Sequence, residues 1–534
     1  MSLVRTQLLL GGRIYSPSAP DATAMAVTDG VVTWTGEDRT GRALHPGAEE
    51  VDLGGAFVAP AFVDTHVHTT ALGLALIGLD LSGCTSKRDC LQRIRSYAAK
   101  STDRVIWGHG WDDARWGDGG PLTTSDLDDI APNRNLYLAR VDSHSAACST
   151  PLRRVSELSE STRGFHPEHP LTADAHHSVR TTAGALLNAE TRIEARRSAL
   201  DFAASQGVCA VHECGGPVVA GLDDFRALMA DEHGVQVRGY WGQAVASPEE
   251  ARDLLDTTGA HALGGDLFVD GSIGSHTAWL TESYCDVEGT GLAFESPESI
   301  SAHLAACTHA GVQAGFHAIG DGAVGAVVDA LEQTAFTTGG PALASRGHRI
   351  EHMEMVSSAQ AAQLASWGVI ASMQPAFDSL WGGEASLYAT RLGPQRAVLL
   401  NPFSQLASAG VALAFGSDAP ATTMDPWAML RAAVNHRTVG SGISPRAAFA
   451  AATRGAWRAG GVRDGLAGTL VPGAPASYAV WDAAELVVRA PADSVARWST
   501  DPRAGVPALP ALDRESASPR CLRTVHRGRV IHEA

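Results

Sequence analysis

Eight short apolar segments alternate with helical segments through the middle of this 534-residue chain. Such alternation is typical of βα units that build a parallel sheet, and eight units are what a TIM-type barrel requires. The sequence therefore predicts an α/β fold with a distorted (β/α)8 barrel. The candidate barrel strands are 56–63, 208–212, 235–241, 266–269, 312–317, 347–352, 368–373 and 411–416.

The two ends of the chain have a different pattern, in which short apolar segments are broken by turn residues. The strands predicted there are 7–10, 24–27, 31–35, 468–471 and 478–481, followed by a hairpin over 524–531 that turns at Arg527-Gly528. Because both ends share this pattern, we expect them to form one small β-sandwich. Its predicted parts are residues 1–58 and 466–534.

At 534 residues the chain exceeds the usual size of a single core, so we expect one large barrel domain, over residues 59–465, together with smaller units. Residues from about 70 to 190 do not continue the alternation, and they are rich in Asp, Trp, Ser and Pro. We interpret them as an insertion after the first barrel strand.

Composition excludes several classes of partner. The net charge of −17 disfavours nucleic-acid binding, because phosphate backbones would repel the chain. No segment approaches the roughly 20 apolar residues of a membrane helix, and the apolar run 8–10 is too short for a signal peptide. Eight cysteines without a Cys-x-x-Cys pair are typical of reduced thiols. We therefore expect a cytoplasmic protein that acts on a neutral or cationic small molecule.

The strongest chemical signal is a His-x-His pair at the end of the first barrel strand, His66 and His68. Side chains at i and i+2 of a strand point the same way, so both imidazoles can bind one metal ion. An isolated His-x-His pair would more often be two polar loop residues. Three other candidate strands, however, also end in metal-binding groups, namely His317, His352 and Asp418. Strand ends converge on one face of a barrel, so these residues predict a centre for Zn²⁺ or a similar divalent ion.

The chain resembles the amidohydrolase superfamily, in particular the branch of N-substituted formamide deformylase and, more distantly, D-aminoacylase. The resemblance rests on motifs that span most of the chain. They are Pro60-Ala61-Phe62-Val63-Asp64-Thr65-His66-Val67-His68, Asp270-Gly271-Ser272-Ile273-Gly274-Ser275-His276-Thr277-Ala278, His317-Ala318-Ile319-Gly320-Asp321, Arg349-Ile350-Glu351-His352, Ser372-Met373-Gln374-Pro375 and Gly416-Ser417-Asp418-Ala419-Pro420.

The resemblance implies a barrel flanked by a β-sandwich, one or two divalent ions, and hydrolysis of a non-peptide C–N bond by metal-activated water. It implies that His66, His68 and Asp418 hold one ion, and that His317 and His352 hold the other. Asp418 would also accept the proton of the attacking water. A homodimer is expected on the same basis. The alternatives are a C–O hydrolase or isomerase with the same centre, or a non-catalytic assembly protein.

The sequence departs from the family at the bridging ligand. Relatives commonly bridge two ions with a carbamylated lysine or another anionic ligand, but the chain has only Lys87 and Lys100, both in the insertion. Asp266 occupies the position of the family lysine and could bridge in its place, although its side chain is shorter. Cys214 resembles the thiolate position of D-aminoacylase, and it could equally be a small buried residue. A single ion with a weak or empty second position is the third alternative.

Five further residues are candidates for substrate binding. Trp111 and His144 lie in insertion motifs that resemble substrate-proximal segments, although a packed aromatic and a hydrogen-bonded core histidine would give the same pattern. Ser275, His276 and Gln374 lie in the matching motifs and could line the pocket. His276 stands where relatives often carry Arg, so the resemblance does not identify the substrate.

Overall fold

Two parallel four-stranded sheets form the centre of the molecule in the computed structural model, which describes residues 5–117, 120–487 and 507–534. Within these residues the first sheet contains, in spatial order, Ala262–Leu263, Gln236–Trp241, Val208–Gly215 and Phe62–Val67. The second contains Gly315–Ala318, Arg349–His352, Ile370–Met373 and Ala412–Phe415. The fold is therefore α/β.

The two sheets contact each other at both edges. A single parallel bridge joins Leu263 to Ala314, and another joins Val67 to Ala419. The backbone N–H of His68 also donates to the carbonyl of Ala419 at 3.0 Å. The carboxyl ends of the eight strands consequently lie on one side of the molecule, where their side chains can meet.

Two predicted strands differ from the structure. The segment 56–63 divides into Phe57–Pro60, which joins a terminal sheet, and Phe62–Val67, which joins the central one. The predicted strand 266–269 is wrong, because the paired strand is Ala262–Leu263 and only Phe268 in the predicted segment forms a bridge. The physical reason is a backbone break at Gly264 and Gly265, which both have positive φ angles.

Helices cover the central sheets. Pro248–Thr258 and Pro297–Ala310 show why they begin and end where they do: each has a serine N-cap and proline in its first turn, and each ends at a left-handed glycine. The described helices are Asp38–Leu44, Thr69–Ile77, Lys87–Ala98, Thr124–Ile130, Thr150–Val155, Ala173–Leu186, Ala189–Ser205, Leu222–Met229, Pro248–Thr258, Pro297–Ala310, Asp321–Thr338, Gly340–Ala344, Ser358–Ser366, Pro375–Trp381, Leu387–Leu392, Pro394–Ala397, Phe403–Ala409, Pro426–Val434, Pro445–Ala451 and Arg454–Ala459. Among them, none is long and apolar enough to cross a membrane.

Strands from both ends of the chain pair in one sheet. In the described residues its order is Arg13–Ile14, Phe57–Pro60, Tyr478–Asp482, Arg520–His526 and Arg529–Glu533. A second sheet contains Val31–Gly36, Ala24–Thr28, Thr6–Leu10 and Glu49–Asp52. Leu9, Val58 and Tyr478 belong to one apolar cluster that both sheets share. The predicted strand 468–471 is instead irregular backbone with a turn at its start, and 488–506 lies outside the described residues.

The insertion contains a sheet of its own. Its strands are, in order, Leu171–Thr172, Ser145–Cys148, Asn135–Arg140, Val105–Trp111 and Leu79–Asp80. Leu122, Leu127 and Leu136 are buried in an apolar cluster beside this sheet. The insertion is therefore an α/β unit with its own core, and it extends over the carboxyl ends of the central strands.

Candidate metal centre

Asp266 lies among three of the histidines that the sequence analysis proposed as metal ligands. Its Oδ1 atom is 3.3 Å from Nε2 of His66 and 3.5 Å from Nδ1 of His317, and its Oδ2 atom is 3.3 Å from Nε2 of His68. All four side chains are buried. The strand ends therefore bring these groups together around one carboxylate.

Two groups of possible ligands share Asp266. The first consists of His66, His68 and Asp266, and the second of Asp266, His317 and His352; within each, the ligand atoms lie within 4.8 Å of one another. A further overlapping group contains Asp418 together with His66 and His352. A carboxylate that belongs to two neighbouring groups has the geometry required to bridge two ions.

The donor atoms of this cluster fit a metal ion. Nε2 of His66, Oδ1 of Asp266, Nδ1 of His317 and Nε2 of His352 are buried and have no hydrogen-bond partner in the described part of the chain. Leaving buried polar atoms without partners is costly, and a cation between them would remove that cost. Imidazole nitrogens with carboxylate oxygens are suitable ligands for a first-row divalent ion.

The charge states of two groups suit ligation. Burial works against ionisation of Asp266, but the neighbouring His68 and His66 outweigh it and lower the pKa of this carboxyl well below its usual range. Burial, reinforced by His317 and His66, lowers the pKa of His352 well below 6.5. Asp266 is therefore ionised and His352 neutral, which are the forms that bind a metal.

A glycine pair brings Asp266 into this position. The paired strand ends at Leu263, and Gly264 and Gly265 follow with φ angles of +156° and +69°. A Cβ atom on Gly264 would lie 2.3 Å from the Cα of Gly315 on the neighbouring strand, so the two backbones approach closely only because glycine is there. Because of this break, Asp266 lies outside the paired strand and among the histidines.

Two other carboxylates orient the cluster, and the sequence analysis missed both. Oε2 of Glu351 lies 3.0 Å from Nδ1 of His66, and Arg349 donates to Glu351 through both Nε and Nη2. Asp64 accepts the backbone N–H groups of His66 and Ser417, and so joins the first central strand to the segment that carries Asp418. Both residues lie in the matching motifs. Asp64 is two residues from His66, and Glu351 is two residues from Arg349. This spacing, which places two side chains on the same face of a strand, was the signal that could have identified them.

Asp418 lies beside the first ligand group. Its Oδ1 atom is 3.2 Å from Nε2 of His68 and 3.6 Å from Nε2 of His66. The side chain lines a cavity of about 370 Å³ that also reaches His317 and His352. Asp418 can therefore contact both the cluster and a molecule bound in this cavity.

Cys214 is buried close to His66 and Glu351, and its Sγ atom is 3.0 Å from where a Cβ atom of Gly265 would lie. Burial raises the pKa of this thiol to about 12. The neutral thiol is a poor metal ligand. Its surroundings therefore favour a small packed side chain.

The five predicted substrate-binding residues lie in different places. His144 lines the 370 Å³ cavity, and burial, together with nearby His317, lowers the pKa of its imidazole to about 3. Ser275 donates to Asp142, another residue of the cavity wall, at 2.7 Å. Gln374 is fully buried, and its Oε1 atom accepts a hydrogen bond from Nδ1 of His352 at 2.7 Å. Gln374 therefore orients a candidate ligand.

Trp111 and His276 are placed away from this cavity. Trp111 is fully buried in the core of the insertion, and its Nε1–H donates to the carbonyl of Leu138 at 2.8 Å. His276 has its Nε2 atom 3.1 Å from Oδ1 of Asp286. Neither is part of the cavity lining. Packing in the core of the insertion therefore explains Trp111, and the contact with Asp286 explains His276.

The cavity wall includes further residues that the sequence analysis missed. Phe377 stacks on the ring of His352 with an interplanar angle of 6°, and Trp381 packs against Phe377. Glu354 accepts hydrogen bonds from Asn401 and from the hydroxyl of Tyr388. Burial raises the pKa of Glu354 to about 7. The cavity thus has an aromatic wall and polar groups close to the ligand cluster.

An α/β fold with imidazoles and carboxylates at its strand ends defines a class, the metal-dependent hydrolases with a (β/α)8-type fold. A crystal structure of an uncharacterized metal-dependent hydrolase from Pyrococcus furiosus superposes on this chain with a TM-score of 0.68 at 28% identity. The match covers 89% of this chain and 98% of that one.

The family follows from comparison of sequences. A profile of the amidohydrolase family matches residues 49–532, so the chain belongs to that family. It is 29% identical to the protein LONG AFTER FAR-RED 3 of Arabidopsis thaliana, over 81% of this chain and 78% of the relative. It is 22% identical to N-substituted formamide deformylase of Arthrobacter pascens, over 84% and 88% of the two chains.

Proposed function

We propose that this amidohydrolase cleaves a non-peptide C–N bond, in an amide, a formamide or a related group of a small molecule. The observation that carries the proposal is the shared carboxylate of Asp266 between two groups of imidazoles, beside a cavity that Asp418 lines. We further propose that the ions are zinc, because neutral imidazoles with carboxylates suit it.

The proposed chemistry assigns a proton-transfer role to Asp418. When bound, the divalent ions supply Lewis acidity, which polarises the substrate carbonyl and lowers the pKa of water. Asp418 accepts the proton of the attacking water and returns it to the leaving nitrogen as the C–N bond breaks. Its position between His68 and the cavity supports both transfers.

Neighbouring residues position the substrate in this scheme. His144 faces the cavity as a neutral imidazole, so it can donate a hydrogen bond to a substrate oxygen without carrying charge. The wall of Phe377 and Trp381 excludes water and packs an apolar substituent next to the reacting group. The favoured substrate is therefore an amide with an apolar substituent.

Metal analysis combined with kinetics of Asp418→Asn tests this function. We expect the variant to retain its metal and to lose turnover by about 10²–10⁴-fold, which is the usual contribution of a positioned base. Asp425→Asn is a matched control, because Asp425 caps the helix Pro426–Val434 and does not line the cavity. A metal-free native protein, or Asp418→Asn with full turnover, would contradict the proposal.

A substrate panel separates the C–N reaction from its alternatives. Matched amides, esters and lactones with the same aromatic substituent should be compared by kcat/KM. Higher values for esters or lactones would indicate a C–O hydrolase, and epimerisation without hydrolysis would indicate an isomerase. Loss of every reaction with the metal retained would favour an assembly role.

We also propose a cytoplasmic location and a homodimer, with a small molecule as the partner and with no membrane or nucleic-acid partner. The net charge of −17 supports the last point. Light scattering of the purified chain tests the dimer, and cell fractionation tests the location.

A further inference from the structure

A second cavity reaches the ligand cluster from another side. Its volume is about 880 Å³ when the open solvent at its mouth is included, and His68 lines it together with residues of the helices Thr69–Ile77 and Ala173–Leu186. It shares no lining residue with the 370 Å³ cavity beside Asp418.

Arg180 lines this second cavity without a partner for its charge. The residue is only 7% exposed, and its guanidinium has no hydrogen bond or ion pair with any residue that the structure describes. Among the other buried arginines, Arg196 pairs with Asp224 and Arg349 pairs with Glu351, whereas Arg153 donates to backbone carbonyls. None of its nitrogens is among the fully enclosed atoms of the described residues, so the guanidinium is open to the cavity and can bind a negatively charged ligand.

The rest of the cavity wall does not supply that anion. Glu213 accepts the backbone N–H of Thr69 at 2.7 Å, Asp224 is engaged by Arg196, and Asp223 is exposed to solvent. Arg192 adds a second cation, half-buried and likewise without a side-chain partner among the described residues. None of these three carboxylates forms an ion pair with Arg180 or Arg192 in the described residues, so both guanidinium groups can bind an anion.

We propose that this cavity binds a small organic carboxylate, with its carboxylate on Arg180 and its apolar body against Leu74, Trp107 and Val219. The planar guanidinium can hold both oxygens of a carboxylate at once. Because His68 lines the same cavity, the bound molecule lies next to the candidate metal centre. The proposal goes beyond the C–N reaction and does not depend on it.

Calorimetry with phenylacetate tests the proposal, with 2-phenylethanol as a neutral probe of similar size. The full chain is compared with Arg180→Gln and with the control Arg197→Gln, whose side chain is 66% exposed and does not line the cavity. We expect phenylacetate to bind the native chain and the control equally, and Arg180→Gln about tenfold or more weakly, because a charged hydrogen-bonded pair is lost. The neutral probe should bind all three weakly. If Arg180→Gln does not fold, Arg192→Gln should weaken phenylacetate binding by a smaller factor.

Three results would overturn the proposal. They are phenylacetate binding that Arg180→Gln leaves unchanged, equal affinity for 2-phenylethanol, and inorganic phosphate that competes through Arg180 as strongly as phenylacetate. The titration is repeated after a chelator has removed the metal. If phenylacetate binding requires the metal but does not require Arg180, the carboxylate of phenylacetate binds at the metal centre and not in this cavity. No turnover is measured, so the outcome stays distinct from any failure of the catalytic proposal.

Discussion

Nδ1 of His66 lies 3.0 Å from Oε2 of Glu351, and both side chains are fully buried. This contact fixes which nitrogen of His66 faces the cluster, because Nδ1–H donates to the carboxylate and leaves Nε2 directed at Asp266. A carboxylate held by Arg349 thus orients a ligand whose position in the chain is 285 residues away.

Glu351→Gln should lower metal content and kcat/KM together, by about 10–100-fold, because the orienting carboxylate is lost while the volume is kept. Metal analysis and kinetics measure the two effects. Glu332→Gln on the surface is the control. Circular dichroism verifies folding, since Arg349 loses its charged partner in the variant. Unchanged metal content in a folded Glu351→Gln would contradict this role.

Asp266 and Cys214 are the two candidates for the bridging ligand, and substituting each should have a different effect on metal stoichiometry. Asp266→Ala should reduce metal stoichiometry and turnover together, because both ligand groups lose their shared carboxylate. Cys214→Ala should be mild, because Cys214 belongs to neither of the two ligand groups that share Asp266. Elemental analysis after reconstitution measures both variants. Loss of metal from Cys214→Ala with Asp266→Ala unaffected would reverse the assignment.

The two lysines should be dispensable for metal binding. Lys87 forms an ion pair with Asp126 at 2.7 Å, and Lys100 follows the helix Lys87–Ala98, so both belong to the insertion. The double variant Lys87→Arg/Lys100→Arg keeps both charges and contains no lysine that could be carbamylated. It should reconstitute with full metal content and turnover, with or without bicarbonate. A bicarbonate requirement in the native chain, together with loss of metal from this variant, would show a carbamate after all.

Sequence patterns predicted the α/β fold because each central strand is a short apolar run followed by a helix. They could not predict where Asp266 lies, since its position depends on the break at Gly264 and Gly265 and on the approach of Gly315. Apolar periodicity placed the strand four residues too late for the same reason. The pairing of His66 with Glu351 joins distant strands, and local patterns do not record such contacts.

Trp111 illustrates a second limit of sequence patterns. A tryptophan in a Gly-Trp-Asp motif is equally compatible with a pocket wall and with a core, and only the packing of the insertion distinguishes them. Its indole N–H donates a hydrogen bond to a backbone carbonyl within that core. The role inferred for Arg180 could not be predicted from the sequence either, because only the folded chain shows that its guanidinium has no ion-pair partner among the described residues.

His348 should make the protein less stable in mild acid. It is buried, Nδ1 accepts the N–H of Ala314 at 2.9 Å, and Nε2 lies 3.0 Å from the hydroxyl of Thr308. Burial, together with nearby His303, lowers the pKa of His348 to about 3. The unfolded chain therefore takes up this proton near pH 6.5, before the folded chain does. Stability must fall as the pH drops from about 6.5 towards 3, by about 1.4 kcal/mol per pH unit for this residue.

His348→Gln isolates that contribution, because glutamine can accept the same backbone N–H but does not titrate. Denaturant unfolding at pH 7.0 and 5.5 gives the free energy of unfolding of each chain. A chelator is present throughout, so that the protein is metal-free at both pH values. The variant should be less stable at pH 7.0, where a packed side chain has been replaced. Its loss of stability between the two pH values should be smaller than that of the native chain by about 1.3 kcal/mol, because only the interval below about pH 6.5 contributes fully. His309→Gln, at an exposed position near the end of Pro297–Ala310, is the control and should follow the native chain. Equal pH slopes for His348→Gln and the native chain would mean that His348 is protonated in the folded state, and that its contacts with Ala314 and Thr308 do not hold it neutral.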